Sequence, residues 1–155
     1  MPNIGNREML IEKVKHQKSI WMNKNLSEFF RTNGCLLVRA INFGELRQLV
    51  KDGPENFLFH KGINFEFEYG RHIESYATYR SGTVIVASLK EEDILIDGEE
   101  KDHNKTKKIR YMGGGRAFCL RDFRTSVELY NISEFNWNQL SNPKNTEIMD
   151  CDSYL

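Results

Sequence analysis

The segment TVIVASL, residues 83–89, constrains the fold of this chain more than any other part of the sequence. It is rich in β-branched residues and is almost entirely apolar, which is typical of a strand that is buried on both faces. We therefore predict a central strand of a sheet. The segment GRHIESYATYRSG, residues 70–82, comes directly before it and places Ile73, Tyr76 and Ala77 at helical spacing. This spacing predicts a short helix that leads into the central strand.

A second pair of elements is predicted earlier in the chain. CLLV, residues 35–38, is a short apolar strand segment that is followed by Arg39. NFGELRQLVKDG, residues 42–53, then places its apolar residues on one helical face, with an asparagine N-cap at its start and a glycine before proline at its end. The aromatic segment that follows, residues 56–70, is compatible with an extended segment or with a loop over the core, and its pattern does not decide between them.

The remaining segments predict helices near the N-terminus and strands toward the C-terminus. Apolar residues recur at helical intervals from Asn6 to about Thr32, which predicts one or two amphipathic helices. Three later segments, the first two joined by a glycine hairpin, predict strands: KIRYM (108–112), RAFCLRDF (116–123) and SVELYNI (126–132). The predicted fold class is α+β, with N-terminal helices and a mixed, mainly antiparallel sheet.

Chain length and composition predict a single domain. A chain of 155 residues can form one domain with a full core and is short for two. We expect an N-terminal helical segment (1–34), a core (35–140) and a loose tail (141–155). The 22 Lys and Arg balance 22 Asp and Glu, so no net charge draws the molecule to nucleic acid or to an anionic membrane. Widely spaced cysteines and the lack of a secretion signal or an apolar span predict a cytoplasmic protein without a membrane partner.

Basic residues are nevertheless concentrated in one stretch, between Lys101 and Arg124. A local basic patch can bind phosphate groups although the total charge is zero. The alternative is a solvated hairpin face without a partner. The candidate nucleic-acid-binding residues in this stretch are Lys107, Lys108, Arg110, Arg116 and Arg121.

Common catalytic templates are absent from the sequence. It contains no H-E-x-x-H, C-x-x-C, G-x-S-x-G or Walker P-loop motif, so zinc hydrolases, serine hydrolases and P-loop NTPases find no support, and we predict no metal site. The run Gly113–Gly115 is not followed by a predicted helix, whose N-terminal amides would hold a phosphate. We therefore predict a turn there.

The order of these elements resembles the small ADP-ribosyltransferase fold of bacterial and phage toxins and of related enzymes that modify DNA and RNA. The resemblance covers roughly residues 35–137 and is one of layout: a strand ending in arginine, a short helix, an aromatic segment, a second helix, a valine-rich strand and antiparallel strands. In that family the first strand ends on an Arg or His that binds NAD, a later helix carries a Tyr or a small polar residue near the nicotinamide, and a late strand begins with the catalytic glutamate.

The resemblance implies roles for individual residues. Arg39 would bind the NAD diphosphate, because its guanidinium suits phosphate oxygens; alternatively it only reaches solvent or a helix carboxylate. Tyr76 or Tyr79 would stack on the nicotinamide ring, although Tyr76 could instead belong to the core. The other implied cofactor contacts are Ala40, Tyr69 and Ser75.

The catalytic glutamate is where the sequence departs from the family pattern. Its carboxylate should lie at the start of the late strand, bind the ribose 2′-hydroxyl and stabilise positive charge on the anomeric carbon. Arg116 stands at this position, and Glu128 on the next predicted strand is the nearest carboxylate. The resemblance implies Glu128 as the catalytic residue if the register differs by one strand; otherwise the site lacks its key acid.

Two functions are compatible with these observations. The first is an NAD-dependent mono-ADP-ribosyltransferase, a toxin or phage-conflict effector with NAD as substrate, an RNA, DNA or protein acceptor, and an antitoxin or inhibitor protein as partner. The second is a non-catalytic α+β module that binds nucleic acid, a nucleotide or a partner protein. The missing glutamate before AFCL, residues 117–120, favours the second.

Overall fold

The computed structural model describes residues 4–21, 34–95 and 106–132 of the chain, and within them it shows an α+β fold with three α-helices. The predicted helical segment beyond residue 21 and the predicted tail lie outside these residues. The helices are α1 (Arg7–Trp21), α2 (Phe43–Asp52) and α3 (Arg71–Tyr79). The strands are β1 (Ile4–Asn6), β2 (Cys35–Ala40), β3 (Phe57–Phe59), β4 (Asn64–Glu66), β5 (Thr83–Leu89), β6 (Ile94–Leu95), β7 (Ile109–Gly113), β8 (Arg116–Cys119), β9 (Phe123–Thr125) and β10 (Val127–Asn131).

The described strands form one large mixed sheet and one small sheet. The large sheet has eight strands in the order β1-β10-β5-β2-β4-β8-β7-β6, and β3 pairs with β9 in the small one. In this part of the chain, β1–β10 and β6–β7 are parallel pairs and the other pairings are antiparallel. The predicted central strand is confirmed, because β5 lies between β10 and β2 and nearly all of its residues are buried.

Two apolar layers cover the two faces of the sheet. Helices α1 and α3 pack on one face, against alternate residues of β2, β5 and β10 such as Val38, Val84 and Tyr130. The opposite face packs against α2 and the small sheet, with Leu37 and Ile85 in contact with that second core. Strand alternation thus supplies both cores from the same strands.

Helix α2 begins and ends where the sequence predicts. The Asn42 side chain accepts a hydrogen bond from the Glu45 amide at 2.8 Å, and the Glu45 carboxylate accepts one from the Asn42 amide at 3.1 Å, which forms a capping box. At the other end, Gly53 has φ 86° and donates its amide to the Leu49 carbonyl at 2.9 Å. A side chain at this positive φ would be strained, so glycine suits the helix end.

The aromatic segment 56–70, which the sequence left undecided, is part of the core. It forms β3 and β4, and its four phenylalanines are all buried. The rings of Phe57 and Phe59 meet edge-on with centroids 4.9 Å apart, and Phe59 meets Phe65 in the same way at 5.1 Å. Edge-to-face pairs of this kind add to the stability gained from burial.

One predicted boundary in the sheet is wrong, and one strand was not predicted. RAFCLRDF is not one strand, because the chain leaves β8 after Cys119 and starts β9 at Phe123, where it pairs with β3 in the small sheet. The N-terminal helix is preceded by β1, which the sequence did not predict because three residues carry too little pattern. The glycine turn is confirmed: Gly113, Gly114 and Gly115 have φ of 88°, 62° and 77° between the paired strands β7 and β8.

The described cysteines are buried thiols. Cys35 and Cys119 are not in a disulfide, and Cys151 lies outside the described residues. Burial raises the pKa of the Cys119 thiol to about 11 and raises the pKa of Cys35 further. Both groups are therefore neutral at pH 7 and poor nucleophiles. Separately, none of the described helices combines the length and the apolar character needed to cross a bilayer.

Gln17 ties α1 to the sheet through its buried amide. Its side chain Nε2 donates to the carbonyls of Leu36 at 2.8 Å and Phe67 at 2.7 Å, and its Oε1 accepts from the Leu36 amide at 2.8 Å. Strand β2 pairs with β4 at Val38 and Glu66 alone in the described register. The Gln17 amide therefore takes the place of a strand partner at Leu36.

We expect Gln17→Leu to lower the free energy of unfolding by about 2–3 kcal/mol, because it keeps the volume but leaves the partners of the amide buried and unpaired. Urea denaturation measures this loss. Glu12→Ala, at an exposed position of the same helix, is the matched control and should change stability by less than about 0.5 kcal/mol. Equal effects of the two substitutions would contradict a structural role for the Gln17 amide.

Candidate functional site

Helix α3 separates two concave surfaces. Ile73 and Ala77 bury its inner side against the sheet. His72 and Tyr76, one turn apart, line a cleft between α3 and strands β2, β4 and β8, which we call the sheet cleft. Ser75 lines a second surface between α3 and α1, which we call the interhelical groove.

The sheet cleft encloses about 300 Å³. Strand alternation brings Val38, Ala40 and Glu66 to its floor, and Met112 and Arg116 close its far side. Its lining carries several cations against the carboxylate of Glu66, so the cleft is basic although the whole chain is neutral. Cationic side chains around a partly apolar floor suit a ligand that has both an anionic group and a flat ring.

A charged cluster forms one wall of the sheet cleft. Arg116 Nη2 lies 2.9 Å from His72 Nδ1, and Arg116 Nε lies 3.8 Å from Glu66 Oε1. His72 Nδ1 lies 3.5 Å from the same carboxylate oxygen. Since arginine only donates, a hydrogen bond between these two side chains has His72 Nδ1 as its acceptor.

Glu66 is the least exposed member of this cluster, with 19% of its side chain accessible. Burial raises the pKa of its carboxyl, the neighbouring His72 and Arg116 oppose this rise, and Glu68 adds to it. Desolvation penalises the charged form of a carboxyl, whereas the two basic neighbours favour it. A carboxylate of this kind is typical of functional sites.

Tyr76 and Arg80 form the helical wall of the cleft. The Arg80 guanidinium lies 4.9 Å from the centre of the Tyr76 ring, and its Nη1 donates to the Ala40 carbonyl at 2.8 Å. Tyr76 lies at the surface, and 48% of the residue is exposed. The tyrosine ring is thus held by a cation–π contact and remains accessible. The interpretation of Tyr76 as a core residue is wrong.

Arg39 lines the cleft, but its guanidinium is occupied by protein groups. Its Nε and Nη2 donate to the two carboxylate oxygens of Glu45 at 2.8 and 2.9 Å, and its Nη1 donates to the Asn64 carbonyl at 2.9 Å. The two side chains are 12% and 15% exposed. Of the two interpretations of this arginine, contact with a helix carboxylate is the one that the structure shows.

The other predicted cofactor and catalytic residues are spread over the molecule. Ala40 and Tyr76 line the sheet cleft together with Arg39. Tyr69 and Ser75 line the interhelical groove on the other side of α3. Tyr79 is 72% exposed and lines neither surface. The predicted set therefore does not converge on one site.

Glu128 lies away from both surfaces, on β10. Its carboxylate pairs with Lys13 Nζ at 3.0 Å and accepts a hydrogen bond from the Tyr130 hydroxyl at 3.1 Å. Burial and the neighbouring Glu128 raise the pKa of Tyr130 to about 12, so the hydroxyl stays protonated and donates. The carboxylate thus joins β10 to α1, and it does not line the sheet cleft.

The interhelical groove, of about 640 Å³, contains a second charged network. Glu74 accepts hydrogen bonds from the Tyr69 hydroxyl at 2.6 Å and from Arg7 Nε at 3.1 Å. Both bonds lower the pKa of Glu74, and the bond from Tyr69 has the larger effect. Burial, and to a smaller extent the hydrogen bond to Glu74, raises the pKa of Tyr69 to about 12. The network joins α1 to α3 and uses Tyr69 for that purpose.

The predicted nucleic-acid-binding residues are divided by the fold. Lys108 pairs with Asp93 at 3.5 Å, and its ammonium lies 5.5 Å from the centre of the Phe123 ring. Arg121 donates to the Lys107 carbonyl. Arg110 and Arg116 point to the face of the large sheet opposite the second core, because each alternates along its strand with residues of that core.

Glu66 and His72 were missed by the sequence analysis. Glu66 lies in the aromatic segment that could not be assigned, and His72 resembled any scattered surface histidine. The alternation of Phe65, Glu66 and Phe67 is the one signal that could have placed Glu66 opposite the buried phenylalanines. Nothing local indicated that both residues meet Arg116, which comes more than forty residues later.

Comparison with family models, with curated proteins and with solved structures finds no match to this chain. Within the described residues, no group of three or more His, Cys, Asp and Glu side chains is placed to hold a metal ion. The side chains that line the sheet cleft are therefore the candidate functional residues.

Proposed function

We propose that the protein binds a nucleotide in the sheet cleft. The observation that carries this proposal is the placement of Arg116 and the accessible ring of Tyr76 in one cleft, with the floor of β2 between them. Arginine binds phosphate oxygens through paired donors, and tyrosine presents a rigid flat surface to a base or a nicotinamide. The excess of cationic side chains over carboxylates in the lining of the cleft supports an anionic ligand.

NAD is the specific nucleotide that the resemblance to ADP-ribosyltransferases implies. In that family, the arginine at the end of the first strand binds the diphosphate, but Arg39 would have to leave Glu45 and Asn64 to do so. We assign the phosphate contact to Arg116, which is largely exposed and lies at the mouth of the cleft.

A second candidate function, ADP-ribosyl transfer, is favoured by the position of Glu66. Its carboxylate lies in the same cleft as Arg116 and Tyr76, whereas Glu128 does not. An ionised carboxylate beside the ribose can bind the 2′-hydroxyl and stabilise the positive charge that develops as the nicotinamide leaves. His72 and Arg116 favour this ionised form. In this proposal Glu66 has the role that the resemblance implies for Glu128.

The biological setting of this activity follows from the resemblance alone. A transferase of this kind would be a cytoplasmic toxin or phage-conflict effector that modifies RNA, DNA or protein, and an inhibitor protein would restrain it. If the cleft binds a nucleotide without cleaving it, the protein is the non-catalytic module.

Titration of the protein with NAD, ADP-ribose and AMP by isothermal calorimetry tests nucleotide binding. We expect Arg116→Gln to weaken NAD binding about tenfold, because it removes a charge-assisted contact. Tyr76→Leu should weaken it about fivefold, because it removes the flat ring. Lys51→Gln, at an exposed position of α2 on the opposite side of the sheet, is the control and should bind as the wild type does.

Nicotinamide release in the same samples, with RNA, DNA or protein added as the acceptor of the ADP-ribosyl group, separates the two candidate functions. Binding with release supports the transferase, and binding without release supports the module. Absence of NAD binding at millimolar concentration, or equal affinity in the wild type and Arg116→Gln, would overturn the assignment of the cleft.

A further inference from the structure

The strands beyond the sheet cleft present a second set of basic and apolar side chains. On β8, Ala117 and Cys119 point into the core under α2, so Arg116 and Phe118 point to the opposite face. On β7, Ile109 and Tyr111 belong to that same core. Arg110 and Met112 therefore lie on the opposite face, beside Arg116 and Phe118. Arg110 is the registered partner of Phe118. We call these four residues, Arg110, Met112, Arg116 and Phe118, the outer sheet face.

The described helices do not cover this part of the sheet. The core beneath α1 and α3 takes its strand residues from β2, β5 and β10, which are the strands on the other side of β4. Within the described ranges, Met112 is accordingly 55% exposed, and Arg116 is also exposed. Phe118 and Arg110 are half-buried by their neighbours. The outer sheet face is continuous with the sheet cleft, because Met112 and Arg116 line both.

We propose that the outer sheet face binds single-stranded nucleic acid and leads one nucleotide into the sheet cleft. Proteins that bind single strands combine cationic side chains along the backbone with aromatic rings on which bases stack. Arg110 and Arg116 supply the first component. Phe118 supplies a ring between them, and Tyr76 supplies another at the rim of the cleft. The proposal extends the proposed function and rests on it for the fate of the strand in the cleft.

Charge and shape favour a single strand over a duplex as the ligand of this surface. Arg110 and Arg116 lie on the neighbouring strands β7 and β8, and Glu66 is the registered partner of Arg116. Cations therefore outnumber carboxylates among these three side chains, and the surface complements a polyanion. Half-buried Phe118 can stack on the face of a base only when that base is unpaired, because the bases of a duplex are stacked on one another. A duplex offers the arginines phosphates but offers the aromatic rings nothing.

Fluorescence anisotropy with a labelled single strand of about 12 nucleotides tests the proposal, since binding sites of this kind span a few to about 16 nucleotides. We expect the single strand to bind more tightly than the duplex of the same sequence, and binding to weaken as salt rises. Arg110→Gln should weaken binding about tenfold and reduce the salt slope by roughly 0.7, the value for one phosphate contact to a single strand. Phe118→Leu should weaken it about tenfold without changing the slope.

Matched measurements make the outcomes distinct. Lys51→Gln removes a cation from the other side of the molecule and should bind as the wild type does. Arg110 and Phe118 do not line the sheet cleft, so their variants should retain NAD binding. Retained NAD binding also shows that Phe118→Leu is folded. Equal affinity for single strand and duplex, or unchanged affinity in both variants, would overturn the proposal. Strand binding without NAD binding would support the outer sheet face as a nucleic-acid surface but would overturn the entry of a nucleotide into the sheet cleft.

Discussion

Arg39→Ala is expected to lower the free energy of unfolding by about 3 kcal/mol. The substitution removes the two Arg39 donors from the Glu45 carboxylate, which keeps its bond from the Asn42 amide but is only 15% exposed and would be left as a largely desolvated charge. Glu45 is also the third residue of α2 and forms the capping box with the N-cap Asn42, so the start of this helix loses the group that orients its capping box. Urea denaturation, followed by circular dichroism, measures the loss.

Two comparisons decide whether Arg39 is structural or binds ligand. Arg124 also pairs with a carboxylate, that of Asp52 at 3.8 Å, but its side chain is 44% exposed. Arg124→Ala should therefore cost less than about 1 kcal/mol. If Arg39→Ala leaves stability unchanged and abolishes NAD binding instead, the guanidinium binds the diphosphate, as the resemblance implies, and our structural interpretation is wrong.

Glu66→Gln is expected to lower the rate of nicotinamide release from NAD by at least about 100-fold, if the cleft carries out ADP-ribosyl transfer. The amide keeps the shape of the side chain but removes the negative charge that would stabilise the transition state. Glu128→Gln is the matched control, because it makes the same chemical change outside the cleft, and it should retain nearly full activity. The reverse result, with Glu128→Gln inactive and Glu66→Gln active, would restore the sequence-based assignment.

The pH dependence of stability provides an independent measurement on Glu66. Its pKa is raised in the folded protein, mainly by burial, so the folded state binds this proton more tightly than the unfolded state does. The contribution of Glu66 to stability is therefore fully present below the unfolded pKa and is lost as pH rises through the folded pKa. Glu66→Gln lacks this titration, so the stability of the variant relative to the wild type should increase as pH rises through that range. A constant difference would show that the carboxyl is not desolvated.

Local sequence signals predicted the elements that depend on local physics. Residues 83–89 form the central strand because an apolar, β-branched segment is stable only when covered on both faces. Helix α2 begins at its capping box and ends at a glycine with positive φ, and both features are written in adjacent residues. The glycine turn between β7 and β8 has the same local origin.

The sequence did not predict features that depend on distant partners. The break between β8 and β9 occurs because β9 pairs with β3, a strand more than sixty residues earlier. The aromatic segment was ambiguous for the same reason, since its phenylalanines meet one another only after β3 and β4 enter different sheets.

The candidate site shows the same division. The sequence by itself determined the α+β class, the central strand, two of the helices with their ends, and the cations available to a phosphate-bearing ligand, because each follows from periodicity, capping or composition. The tertiary structure alone decided that Arg39 pairs with Glu45, that Glu128 lies on the side of α1, and that Glu66, His72 and Arg116 meet. These contacts join residues from different strands and helices, and their energies depend on burial and distance, which arise only when the sheet is assembled.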